Sequence, residues 1–344
     1  MRTHGLMLVR DEADILPESI PHYLTWLDGL YVMDLGSTDG SWEILTQLAS
    51  RDSRLVLHSS RSLIYSEGLR AILFESYRDR FAAGDWIVKA DADEFYDVPP
   101  AVFAAQSLSA RETCVYLQWY FFRLTTIEVD AIERGAISMS EERRRPVAER
   151  RRHYKLPSHA EPRLFRYRPT MRWSADNAFP YQAGYVARAR IPVRHYPHRD
   201  PWQMAARYRL RSAMMALRNL PGASQWRLTD WRRDVLFVDP NTGLAREQNS
   251  DGVGLAAVEA HTDGELHYWQ PGEALPAMGP LRNHLAPPAV RLAQVAIHAG
   301  PLKLFDHLRS GFSREYQPHQ LPDAVRQQLS GPVPDPFTPS GAGT

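Results

Sequence analysis

The chain has 344 residues, 44% hydrophobic and 24% charged, with 41 basic against 40 acidic side chains and a net charge of +1. That composition excludes intrinsic disorder and suits a globular protein with a sizeable core, while the near-zero charge argues against a general nucleic-acid binder. One cysteine, Cys114, excludes an internal disulfide framework and a cysteine-based zinc site, and no run approaches the roughly 18 apolar residues that cross a bilayer.

Met1 to Gly5 runs into a strand-like segment with no leader pattern, so the expectation is a cytoplasmic protein that at most touches a membrane surface. Gly5–Val9 is a short apolar run and reads as a buried strand. Leu16, Ile20, Tyr23, Leu24 and Leu27 follow at helical spacing, with Pro17 suited to a first turn and Pro21 irregular. Leu30–Met33 is a second strand; it leads through Gly36-Ser37-Thr38-Asp39-Gly40, a turn with helix-capping chemistry, into a helix carrying Trp42, Leu45 and Leu48. Leu55–His58 is a third strand, Leu69 to Phe81 a helix, Trp86–Ala90 a fourth strand and Cys114–Phe122 a longer one. Strands alternating with helices predict an α/β fold with a mostly parallel sheet, whose ligands bind beyond the carboxyl ends of the strands. Residues 126–160 read as a loop-rich basic insertion, 163–194 as short strand pieces, 201–330 as a mainly helical region and 331–344 as a disordered Pro/Gly-rich tail. The expected division is 1–200 as the α/β domain and 201–330 as a C-terminal extension.

Polar clusters follow the first, second and fourth strands, and the topology brings all three to one sheet edge. Asp91-Ala92-Asp93-Glu94 places two carboxylates at alternate positions, an arrangement that a divalent cation relieves and that suits Mn²⁺ or Mg²⁺. A solvated acidic loop is the plainer alternative. Asp34-Leu35-Gly36-Ser37-Thr38-Asp39-Gly40 is either a capped strand-to-helix turn or the glycine-rich loop of an S-adenosylmethionine-dependent methyltransferase; Thr38 stands where such a loop needs its second glycine. Arg10-Asp11-Glu12-Ala13-Asp14 is either functional or an acidic helix start.

Three stretches, MLVRDEADILPESIPHYL, GLYVMDLGSTDGSWEIL and GDWIVKADADEFYDVP, together resemble the family 2 glycosyltransferases in order and spacing. The likeness covers residues 4–100 and continues more loosely through AEPRLFR and VRHYPHRDPWQMAARYRLR. It implies a GT-A fold and a nucleoside diphosphate sugar donor. Arg10, Asp11, Glu12, Asp34, Ser37 and Asp39 would line the nucleotide pocket with Asp91 and Ala92. Asp91, Asp93 and a late histidine, His195, would hold the metal, with His198 as the substitute for His195. Many members have Asn where this chain has Asp11, and paired Asp where it has Asp34-Leu35.

An inverting transferase needs a carboxylate to take the proton of the acceptor hydroxyl; Asp176 and Glu161 are the candidates. The acceptor would be a glycan, a lipid-linked or another hydroxyl compound of surface polysaccharide or glycoconjugate synthesis. A non-catalytic carbohydrate-binding relative is the remaining alternative. The arginine run Arg143–Arg152 is either a lid or membrane contact or a solvated face partnered by Glu141, Glu142 and Glu149; only three of the 41 basic residues are lysines, so arginine here is weak evidence of phosphate binding. Trp119, Tyr120, Phe121 and Phe122 would offer a sugar-stacking face, half of it core by strand alternation.

Overall fold

The computed structural model describes residues 1–156, 160–173, 178–180, 183–215, 267–276, 320 and 322–333. By contact density the chain divides into one unit of Met1–Gln118, His159–Val193 and Pro276–Leu321, and another of Trp119–Ser158, Arg194–Leu275 and Pro322–Thr344. The insertion expected at 126–160 falls mainly in the second unit, as does residue 200.

The first unit is α/β. Its described elements are β1 (Thr3–Val9), α1 (Leu16–Leu24), β2 (Gly29–Asp34), α2 (Ser41–Ala49), β3 (Leu55–Ser60), α3 (Arg70–Ser76), β4 (Trp86–Ala90), β5 (Glu94–Tyr96) and α4 (Pro100–Ser107). They continue with the first part of β6 (Glu112–Phe122), then β8 (Pro162–Arg166) and β9 (Tyr185–Val186). β1 lies between β2 and β4, parallel to both, and β3 extends the sheet beyond β2, also parallel. The sheet is not wholly parallel: β8 pairs antiparallel with β4 and with β6.

Every residue of β1, β2 and β4 is buried, the pattern of parallel strands covered on both faces. Leu6 and Leu8 share a core cluster with Tyr31, Met33 and, from α3, Leu73 and Phe74. Met7 and Val9, alternating to the other face, are equally buried. α1 tolerates Pro17 in its first turn and also carries Pro21 inside it; its buried side, Leu16, Ile20, Tyr23 and Leu24, supplies the stability that the missing N–H of Pro21 removes. Cys114 is buried, which pushes its thiol up to about 12 and leaves it inert.

The second unit contains the end of β6, α5 (Thr126–Glu133), α6 (Met139–Glu142), α7 (Val147–Arg150), β7 (His153–Lys155), the end of β10 (Ile191–His195), α8 (Pro201–Met215), β11 (His267–Tyr268) and α9 (Asp323–Ser330). The loop-rich expectation for 126–160 is thus corrected: three short helices and a strand form there. α5 starts at a capping box in which Thr125 and Glu128 each accept from the other's backbone N–H, a local signal that charge patterning concealed. α8 and α9 fall within 201–330, but most of that region and residues 334–344 lie outside the described residues. No helix among the described residues is long and apolar enough to cross a membrane.

Candidate functional site

Three loops leave the carboxyl ends of β1, β2 and β4, which are adjacent and parallel, so they open on the same edge. The first two are laced together. Asp11 adopts a left-handed backbone, φ 54°, a conformation that Asp tolerates better than most residues. Its N–H donates to Ser37 Oγ at 2.9 Å and its carboxylate accepts from Thr38 N at 2.7 Å. Glu12 N donates to Ser41 Oγ at 2.8 Å, Ala13 N to Asp39 Oδ2 at 2.9 Å, and Arg10 Nη1 to the Leu35 carbonyl. Burial pushes the Asp11 carboxyl up, more than Thr38 and Arg10 pull it down.

The second loop is organised from within. Asp34 is fully buried; its carboxylate accepts from Gly36 N at 3.0 Å, Ser37 N at 3.2 Å, Ser37 Oγ and, across from β3, Ser60 Oγ at 2.6 Å. Asp39 Oδ1 accepts from Ser41 N and Ser41 Oγ at 3.0 and 2.6 Å, fixing the start of α2. These two carboxylates hold the turn; Arg10, Asp11, Glu12, Asp14 and Ser37 are half-buried along the two loops, and Thr38 and Asp39 are exposed. Gly36 has φ +82°, and a Cβ there would stand 2.7 Å from Ser62 Cα, a backbone atom that cannot rotate away. Gly36→Ala is expected to lower stability by about 1–3 kcal/mol from backbone strain alone, with the overlap adding to it; an unchanged denaturation midpoint would contradict this account of the turn.

The third loop is anchored by charge. Asp91 is held through both carboxylate oxygens, Oδ1 by Arg70 and Oδ2 by Arg163 at 2.6 Å. Its carbonyl accepts from Tyr23 Oη at 2.9 Å, which ties α1 to the strand end. Arg163 also reaches Glu94 Oε1 at 3.1 Å. Lys89, buried in β4, bridges Glu67 Oε2 at 2.7 Å and Glu161 Oε2 at 3.2 Å. Burial pulls Lys89 below its ordinary value, more than its carboxylate partners raise it. For Glu67, burial raises the carboxyl, yet Arg70, Lys89 and Arg163 together outweigh it and hold it well below the usual carboxylate range.

A carboxyl lowered by folding contributes stability above its unfolded value, about 4.3, and loses it as pH falls further toward the folded value. Glu67→Gln is therefore expected to flatten the acid limb of the stability profile below about pH 4.3, measured as denaturant midpoint against pH; an unaltered limb would show that Glu67 contributes nothing there.

Of the expected site residues, Arg10, Asp11, Glu12, Ser37 and Asp39 come together through the laced loops, Asp34 beneath them, and Asp91, Ala92 and Asp93 at the end of β4. Glu161 joins the charged group through Lys89 and Arg163. Asp176 lies outside the described residues. His195 belongs to the second unit, half-buried with its ring 5.7 Å from Trp119 and 4.7 Å from Phe121; His198 is buried.

The residues expected to hold Mn²⁺ or Mg²⁺ do not fit one as they stand. Asp91 has an arginine on each oxygen, Asp93 is buried, and among the described residues no group of three or more His, Cys, Asp or Glu side chains is placed to hold a metal ion. The residues that sequence reasoning missed are Glu67, Arg70, Lys89 and Arg163. Lys89 carried a signal, since a lysine inside a buried strand requires a partner.

In the second unit the arginine run is tied down rather than lid-like. Arg143 makes a two-pronged contact with buried Asp200, both bonds 2.9 Å. Arg151, fully buried, meets Glu142 at 2.9 Å and Glu128 at 3.3 Å, and Arg145 meets Glu142 at 3.2 Å. Of the four aromatic residues 119–122, Trp119, Tyr120 and Phe122 are buried and Phe121 is half-buried.

No protein-family model matches the chain. A TPR repeat-containing protein of Synechococcus elongatus is 33% identical over 88 residues, 26% of this chain; the match spans 19% of that relative's length. Among solved structures, S. aureus TarS in complex with UDP is 16% identical, covering 36% of each chain with a TM-score of 0.25. The mannosyltransferase PcManGT from Pyrobaculum calidifontis, in complex with GDP-Man and Mn²⁺, is 14% identical over 96% of this chain and 83% of that one, TM-score 0.33. A mycobacterial protein is 17% identical over 41% of this chain and 48% of its own, TM-score 0.24. With TM-scores of 0.33 and below, none of these carries a function over to this chain.

Proposed function

We propose that the chain is a glycosyltransferase that moves a sugar from a nucleoside diphosphate donor to a hydroxyl acceptor, with inversion. The observation that supports it is the lacing of the loops after β1 and β2 into one rim, beside the charged end of β4, at the edge where parallel sheets bind ligands. In this reading Arg10, Asp11, Glu12 and Ser37 contact the nucleotide, Asp34 and Asp39 hold the turn that presents them, and Asp91 with Ala92 and Asp93 borders the ribose and diphosphate.

Glu161 serves as the acceptor base in this reading: its carboxylate is half-exposed and fixed by Lys89 and Arg163. It takes the proton of the acceptor hydroxyl as the oxygen bonds to C1 of the donor sugar, and the bond from C1 to the diphosphate oxygen breaks, releasing nucleoside diphosphate. Among the described residues, those named for Mn²⁺ or Mg²⁺ do not form a ligand set. The acceptor belongs to glycoconjugate or surface polysaccharide chemistry, whether glycan or lipid-linked, and work on a lipid-linked acceptor would bring peripheral membrane contact.

The methyltransferase alternative needs a loop open to its cofactor, and Thr38 N, at the position of the missing glycine, is instead bonded to Asp11. Calorimetry with UDP, GDP, CDP and S-adenosylhomocysteine separates the readings. One nucleoside diphosphate is expected to bind and S-adenosylhomocysteine not to; the reverse would overturn the proposal, and binding of neither would favour a non-catalytic carbohydrate-binding relative.

A further inference from the structure

Six side chains at the end of β4 close a ring of ion pairs. In order, Glu67 meets Arg70 at 2.7 Å, Arg70 meets Asp91, Asp91 meets Arg163 at 2.6 Å, and Arg163 meets Glu161 at 3.8 Å; Glu161 then meets Lys89 at 3.2 Å, and Lys89 returns to Glu67 at 2.7 Å. The cations are its inner members. The side chains of Arg70, Lys89 and Arg163 are 0, 1 and 4% exposed, those of Glu67, Asp91 and Glu161 20, 23 and 43%. Burying a guanidinium is costly unless a carboxylate neutralises it at contact distance, and Asp91 touches both arginines, one through each oxygen.

A divalent cation such as Mg²⁺ bound at Asp91 would need one of its oxygens at about 2.0–2.1 Å, and each oxygen already accepts from a buried guanidinium. That guanidinium would then share the oxygen with a doubly charged ion of its own sign. The Tyr23 hydroxyl on the Asp91 carbonyl further opposes a shift of the residue. We infer that Asp91 is the shared counter-ion of Arg70 and Arg163 and not a ligand of a divalent cation. The first acidic residue of the Asp91-Ala92-Asp93 run thus serves to keep two buried arginines charged and the strand end fixed. This holds whether or not the donor reading is right.

The test uses Mn²⁺ alone, titrated calorimetrically into the full-length protein and into Asp91→Asn, without nucleotide. The expected result is the same isotherm for both within twofold, a flat one included, together with a lower melting temperature for the variant. A tenfold or greater loss of Mn²⁺ affinity in a folded Asp91→Asn protein would overturn the inference. Should that variant not fold, the unaltered protein answers by NMR: the Nη–H resonances of Arg70 and Arg163, whose Nη2 groups hold Asp91, are expected to persist unshifted at saturating Mg²⁺, and their loss or displacement would mean that the cation takes Asp91 from them.

Discussion

Arg163→Met is expected to lower stability by about 3–5 kcal/mol, the cost of removing one partner from a buried ion pair. The figure follows from what the guanidinium neutralises. Arg163 lies within 2.6 Å of Asp91 and 3.1 Å of Glu94, and Glu94 is fully buried. Methionine fills similar volume but leaves those carboxylates facing each other in a poorly solvated pocket. Protonation would relieve part of the repulsion, so the deficit should shrink at acid pH. The shift of the guanidinium chloride midpoint at pH 7 and pH 4 measures both effects. A change below about 1 kcal/mol, the value of an exposed pair, would mean that the ring is an ordinary surface network.

Glu161→Gln is expected to lower kcat by about 10²–10⁴-fold with little change in stability, the usual range for loss of a general acid or base. Gln keeps the shape and can still accept a hydrogen bond from Lys89, but it cannot take a proton. Because Glu161 is half-exposed and only one of two carboxylates on Lys89, the fold should tolerate the change. The measurement is sugar transfer to a hydroxyl acceptor under saturating donor, with donor affinity checked separately. Retention of activity within threefold would move the base elsewhere, and Asp176 would be the next residue to replace.

Much of the fold was legible because its signals are local. The largely apolar runs at 5–9, 30–33 and 86–90 became β1, β2 and β4 almost without adjustment, since a parallel strand covered on both faces reads as a near-continuous apolar run, broken in β4 only by ion-paired Lys89. The antiparallel insertion of β8 between β4 and β6 was not legible: PRLFR carries strand character but nothing in five residues states a partner or direction.

The site divides the same way. The turn 34–40 was found by its glycines and side-chain acceptors, but the direction of its chemistry was not. Asp34 and Asp39, expected to face a nucleotide, hold backbone N–H groups and hydroxyls. Their targets include Ser60 and Ala13, which only the packed sheet brings near. The ion-pair ring was hidden for a related reason. Arg70 and Arg163 are 93 positions apart in sequence, and in a chain so rich in arginine neither stood out. Glu142, expected to partner the arginine run on a solvated face, pairs with buried Arg151, as does Glu128.

The central claim is that the loops after β1, β2 and β4 form one nucleotide-binding rim. Hydrogen–deuterium exchange with and without UDP or GDP, whichever binds, tests it most directly. Slower exchange is predicted in the peptides spanning residues 10–14, 34–41 and 91–94 together. Protection confined to the second unit, or nucleotide binding with these three segments unchanged, would contradict it.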